Sequence, residues 1–166
     1  VSDDTVTDMT EPESPTETGK PWYVEVVVPV LLAAARKTYG REIHTALDAA
    51  GFGDMPRSGS RLVGGIARSG RPLRDVGGDL GVSKQAASQL VDTLVLRGYV
   101  TRIVDPDDRR RLNIDLTERG RTAAVEIRGA VDRIDAALLA KVGADDVAAM
   151  RRATGALVEM SDPHFA

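Results

Sequence analysis

The stretch Leu80 to Gly120, LGVSKQAASQLVDTLVLRGYVTRIVDPDDRRRLNIDLTERG, constrains this chain more than any other. Ser83 is a good N-cap residue, because its hydroxyl can accept a hydrogen bond from a free backbone N–H of the first helical turn. Ala87, Leu90, Val91 and Leu94 follow at helical spacing and predict a buried face, while Lys84, Gln85, Ser88, Gln89 and Asp92 fall on the other side. Gly98 ends the helix after Arg97, as a residue free to take the left-handed conformation. Leu112, Ile114 and Leu116 then alternate with Asn113 and Asp115, the pattern of a half-buried strand. The intervening Asp105-Pro106-Asp107-Asp108-Arg109-Arg110-Arg111 is too polar for a core and suits the tip of a hairpin over residues 99–116. Upstream, Leu73, Val76 and Leu80 mark a short helix, which with the turn at Gly81-Val82 and the Ser83 helix predicts a helix-turn-helix. A helix that presents Lys, Gln and Ser, followed by an arginine-tipped hairpin, suits DNA: the helix enters a major groove and the tip reaches a neighbouring minor groove.

A net charge of −3 over 166 residues argues against a DNA binder only until it is divided along the chain. Residues 1–20 hold six acids and one Lys, whereas residues 57–121 hold thirteen basic and eight acidic groups. The positive charge therefore sits where the motif lies, as phosphate binding requires. The acidic first twenty residues contain only Val1, Val6 and Met9 as large apolar groups, too few to offset chain entropy, so residues 1–21 are expected to be a disordered tail. A functional alternative for that tail is an arm that competes with DNA for the basic face.

The remaining segments read as helices. Pro29 is acceptable in a first turn, so a helix is expected to start there, preceded by an extended or loosely helical lead from Trp22 to Val28. Leu32, Ala35, Tyr39, Ile43, Ala46 and Leu47 form its apolar stripe, and Gly51-Phe52-Gly53 ends it. A second helix is expected over residues 55–69, opened by Pro56; Gly59, Gly64 and Gly65 weaken it by roughly 1 kcal/mol each relative to Ala and point to close packing or local looseness. Thr117 caps a long helix in which Ala124, Ile127, Val131, Ile134 and Leu138 recur at alternating steps of three and four. Such a seam predicts a coiled-coil-like contact with a partner helix. Gly143 breaks the chain, and a last helix carries Val147, Met150, Ala153, Leu157 and Met160 on one face, with Asp145 and Asp146 at its positive N-terminus.

The same stretch resembles the winged-helix region of the MarR family of transcription regulators. The resemblance is carried by Leu80-Gly81-Val82-Ser83, by Leu90-Val91-Asp92-x-Leu94 followed by Arg97-Gly98-Tyr99-Val100, by Asp105-Pro106-x-Asp108-Arg109-Arg110, and by Leu116-Thr117-Glu118-x-Gly120. It implies a mainly α fold with a small β-hairpin wing: a winged helix-turn-helix over residues 56–120, and a helical dimerisation region formed by residues 22–55 and 121–166. It implies a homodimer that binds a near-palindromic operator in double-stranded DNA, acts as a repressor and is released by a small-molecule effector. The DNA-contacting residues are then expected to be Ser83, Lys84, Gln85, Ser88, Gln89, Arg102, Arg109, Arg110 and Arg111. A family ion pair between recognition helix and wing carries over to Asp92 and Arg110. The family effector pocket lies between the dimerisation helices and the DNA-binding lobe, with Tyr39, Ile43, His44 and Arg61 as candidate liners.

Other functions find little support in the residues. With no Cys there are no disulfides and no thiolate metal sites, and a reducing cytoplasm fits. The only histidines, His44 and His164, lie far apart, and neither H-E-x-x-H nor a phosphate-binding G-x-x-x-x-G-K-[ST] occurs. No catalytic residue, metal or cofactor is expected, and an enzyme is disfavoured. The longest apolar run, Val26 to Ala35, is interrupted by Pro29, so no membrane span is expected; the acidic N-terminus is not that of a signal peptide. The remaining alternative is a winged helix used for protein interaction or nucleoid architecture, without a specific operator.

Overall fold

The computed structural model describes residues 20–69, 83–104 and 112–160. The expected short helix at Leu73 to Leu80, the hairpin tip and most of the acidic tail lie outside these residues. A single 3-10 turn at Trp22–Val24 leads into α1, Val28–Ala49, and α2, Gly59–Ser69. The helix α3, Lys84–Leu96, precedes the strands β1, Val100–Val104, and β2, Leu112–Leu116; then come α4, Glu118–Val142, and α5, Ala144–Glu159. The mainly α architecture with one antiparallel hairpin is the one the sequence pattern implies.

Local chemistry sets most boundaries. Pro29 occupies the first turn of α1, where its missing N–H leaves no intrahelical bond unmade. At the other end Gly51, with φ +82°, lets the Phe52 N–H reach back to the Leu47 carbonyl at 2.8 Å. The start of α2 differs from expectation. Pro56 does not open it; the helix begins at Gly59, whose N–H bonds the Pro56 carbonyl at 2.8 Å in a preceding turn. Close packing explains two of the glycines there. A Cβ on Gly59 would stand 2.9 Å from the Leu94 side chain, and one on Gly64 would stand 3.3 Å from the Ile127 side chain.

The core lies where α2, α3, the base of the hairpin and the first half of α4 meet, closed by the last turns of α1. Leu47, Leu62, Val63, Leu94, Tyr99 and Val100 are its most buried large residues. This placement corrects the expectation for the α4 seam. Ala124 and Ile127 are buried in the chain's own core, and α1 packs along α4, so the first half of the seam is satisfied within one molecule. The stripe on α1 is likewise buried only at its C-terminal end, at Ala46 and Leu47, while Leu32 is exposed. No residue of α5 is buried. Among the described residues, no helix is long and apolar enough to cross a membrane.

Candidate nucleic-acid interface

The helix α3 is held at both ends by bonds its sequence specifies. At the start, the Ser83 hydroxyl accepts the Ala86 N–H at 3.2 Å. At the end, Gly98 adopts φ +71°, its N–H bonds the Val95 carbonyl at 3.0 Å, and the Tyr99 N–H bonds the Leu94 carbonyl at 2.9 Å. This pair of bonds is a Schellman motif, which turns the chain directly into β1. Val91 and Leu94 face inward, fixing the helix's rotation, and Gln85, Ser88, Gln89 and Asp92 are therefore exposed. The outward face carries amide and hydroxyl groups able to donate to and accept from base edges.

Among the described residues, two polar contacts on this side tie the hairpin to α3. β1 and β2 pair antiparallel with Val100 opposite Leu116 and Arg102 opposite Ile114. Arg102 projects from β1 onto α3, and its guanidinium donates to the Asp92 carboxylate. Asp92 thus does have a wing partner, but that partner is the strand residue Arg102; the expected partner, Arg110, lies outside the described residues. The second contact is at the hairpin base. The Thr117 hydroxyl donates to the Gly98 carbonyl at 2.5 Å and accepts the Gly120 N–H at 3.0 Å, so one side chain caps α4 and ties it to the end of α3. Gly120 lies against the Tyr99 carbonyl so closely that an added Cβ would fall far inside contact distance.

A polar cluster absent from the sequence-based site joins the same elements from behind. The Tyr99 hydroxyl, on a fully buried side chain, donates to Asp54 in the loop before α2. Arg119, in the first turn of α4, donates to the same carboxylate at 2.8 Å and lies over the Tyr99 ring, 4.7 Å from its centroid. The Tyr99 hydroxyl bond, and then the Arg119 charge, hold the Asp54 carboxyl below its ordinary range. Burial, and then the bond to Asp54, push the Tyr99 phenol above its own. Neither Asp54 nor Arg119 stands in a periodic pattern, so no sequence signal marks them.

Beside this lobe, an open groove of about 1110 Å³ runs between α2 and α4. Of the four candidate effector liners, Ile43 and Arg61 border it. Tyr39 and His44 are not among its lining residues. The Tyr39 hydroxyl donates to Asp135 on α4 at 2.5 Å, and the His44 Nδ1 lies 2.8 Å from the Gly40 carbonyl oxygen. The bond to Asp135, followed by burial, pushes the Tyr39 phenol up to about 12.

The sequence profile of the MarR family matches residues 54–111, from the loop before α2 to the hairpin. The lobe they build is a MarR-family domain. No curated protein matches the chain by sequence. Solved structures agree with the MarR-family assignment in fold. A MarR family transcriptional regulator from Silicibacter pomeroyi is 21% identical, with a TM-score of 0.69 over 87% of this chain and 95% of that one. The transcriptional repressor CouR, solved on a 23-mer DNA duplex, is 18% identical, with a TM-score of 0.64 over 84% of this chain and 97% of its own. NadR, solved with 4-hydroxyphenylacetate, is 20% identical, with a TM-score of 0.65 over 79% of this chain and 92% of its own. Of the residues expected to meet DNA, the MarR-family lobe brings Gln85, Ser88, Gln89 and Arg102 to one side of α3 and the wing, with Ser83 as the cap. The backbone of Lys84 opens α3, and Arg109, Arg110 and Arg111 fall outside the described residues.

Proposed function

We propose that the chain is a homodimeric, sequence-specific transcription regulator that represses from a near-palindromic operator. The observation that carries the reading is the capped helix α3, whose amide- and hydroxyl-bearing face points outward while Arg102 anchors the wing to it. In this reading Lys84, Gln85, Ser88 and Gln89 meet the major groove, and Arg102, Arg109, Arg110 and Arg111 serve the backbone and the adjacent minor groove. Residues 56–120 form the DNA-binding unit, and the flanking helical regions form the dimer. Exposed apolar residues support that dimer: Trp22, Val27, Val28 and Val30 around the start of α1, and Met150, Leu157 and Val158 on α5. The groove beside Ile43 and Arg61 is the effector site.

The test is a salt series on operator and scrambled duplexes, with the operator obtained by in vitro selection. Gln85→Ala should cost about 1–3 kcal/mol on the operator and little on scrambled DNA. Arg110→Ala should weaken binding to both duplexes and flatten the logarithmic salt slope by about one unit per half-site. Selection that returns no preferred sequence would favour the architectural role. Equal losses for both variants on both duplexes would remove α3 as the reader.

A further inference from the structure

The groove between α2 and α4 has a charge pattern that narrows what it binds. Arg61 and Arg68 lie seven residues apart on α2, two helical turns, and so share one face at a separation of about 10 Å. Between them on that face stand Gly64 and Gly65, which raise no side chain. Among the described residues, neither arginine makes a hydrogen bond or an ion pair. The opposite wall is different. Arg128 is paired with Asp132 at 2.9 Å, Arg121 donates to the Leu116 carbonyl at 2.6 Å, and Asp115 accepts the Leu116 N–H at 2.8 Å. Among the described residues that line the groove, four arginines stand against two aspartates, leaving two positive charges uncompensated there, and Arg61 and Arg68 border an apolar floor that includes Ile43 and Ile127.

From this we infer that the groove takes an elongated dianion: an apolar middle over the glycines, with one anionic group at Arg61 and the other at Arg68. A guanidinium fork matches a carboxylate or a phosphate in bidentate fashion, and two such ends spaced along one helix select for ligand length as well as charge. A short monoanion engages one end only. The inference rests on the effector reading of this groove for its biological role, but not for the binding itself.

The experiment is isothermal titration calorimetry on the full chain at low salt. The probes are the straight-chain dicarboxylates from succinate to dodecanedioate, each beside the monocarboxylate of equal length; alkanediol bisphosphates and monophosphates form a second arm that separates carboxylate from phosphate preference. Affinity should peak at one chain length, where the dianion binds at least about tenfold more tightly than its monoanion. Arg61→Gln and Arg68→Gln should each bring the dianion down to the monoanion's level while leaving monoanion binding within about twofold, since one guanidinium remains. Both side chains are exposed, and a thermal melt verifies folding of each variant. Equal binding of dianions and monoanions, indifference to length, no binding of any dianion, or full retention in either variant would overturn the inference. A mobility-shift assay with the best dianion addresses the effector reading separately. Tight, arginine-dependent binding with no effect on DNA affinity keeps the dianion site and removes the effector role. A neutral compound that acts through the groove to release DNA, where dianions show no advantage, does the reverse.

Discussion

Asp92 and Asp54 show how one carboxylate in each of two places sets the geometry of this lobe. Asp92 is exposed, and its pair with Arg102 has little intrinsic strength in water; its effect is to restrain the angle between α3 and the wing. Asp54 differs because one of its partners, Tyr99, is fully buried and would otherwise leave a hydroxyl without an acceptor. The direction of its shift sets a pH dependence. A carboxyl held below its unfolded-state value contributes stability that is present above that value and is lost as pH falls through the lower, folded-state value. Tyr99 works at the other limit: its raised phenol contributes below the ordinary tyrosine range and loses that contribution as pH climbs through the folded-state value. Asp54→Asn should therefore flatten the acid limb of the melting temperature against pH. Near neutrality it should cost about 1 kcal/mol, a modest figure because the carboxylate is half exposed and screened. An acid limb as steep as that of the wild type would show that other carboxyls control it.

Among the elements, the junction of hairpin and α4 is the tightest fit. Leu116 is buried, Thr117 caps the helix and bonds the Gly98 carbonyl, and Gly120 lies against the Tyr99 carbonyl. The spacing Leu-Thr-x-x-Gly is thus a packing requirement at the base of the wing. Gly120→Ala should destabilise the fold by roughly 3 kcal/mol, because the methyl group meets backbone that cannot swing aside. Gly64→Ala is the control within the same lobe. Its Cβ would meet only the Ile127 methyl at 3.3 Å, and alanine recovers about 1 kcal/mol of helix propensity, so its net effect should be near zero. Denaturant midpoints of the two variants check this contrast; similar midpoints would show that the junction yields more readily than its geometry indicates.

At the scale of the whole molecule, the two ends of the chain differ from its middle. The buried core lies in the central lobe, whereas Trp22, Val28 and Leu157, near the two ends, stand 74%, 54% and 44% exposed. Exposed apolar side chains of this size mark an interface, and the proposed dimer covers them with a second copy. Leu157→Asp should convert the dimer to a folded monomer, since the charge is tolerated in water but costly in a buried seam. Light scattering at micromolar concentration decides the matter, and a wild type that is already monomeric would end the proposal.

Much of this protein was legible in the sequence because it is encoded over a few residues. The Ser83 and Thr117 caps, the left-handed turn at Gly98, the inward face of α3 and the alternation in β2 each depend on neighbours within one turn or one strand. The polar face of α3 followed from the same periodicity. What covers each apolar face is not encoded at that range. The α4 seam carries the same three-four spacing whether it meets a second chain or α1 of its own, and only packing assigned Ala124 and Ile127 to the molecule's own core. Asp92 pairs with Arg102 because the hairpin register places that strand residue over α3, a relation between two elements that neither sequence segment contains alone. The Asp54–Tyr99–Arg119 cluster and the unengaged arginines of the groove arise in the same way. Chain segments distant in sequence converge there, and the burial of a single tyrosine decides which charges must answer it.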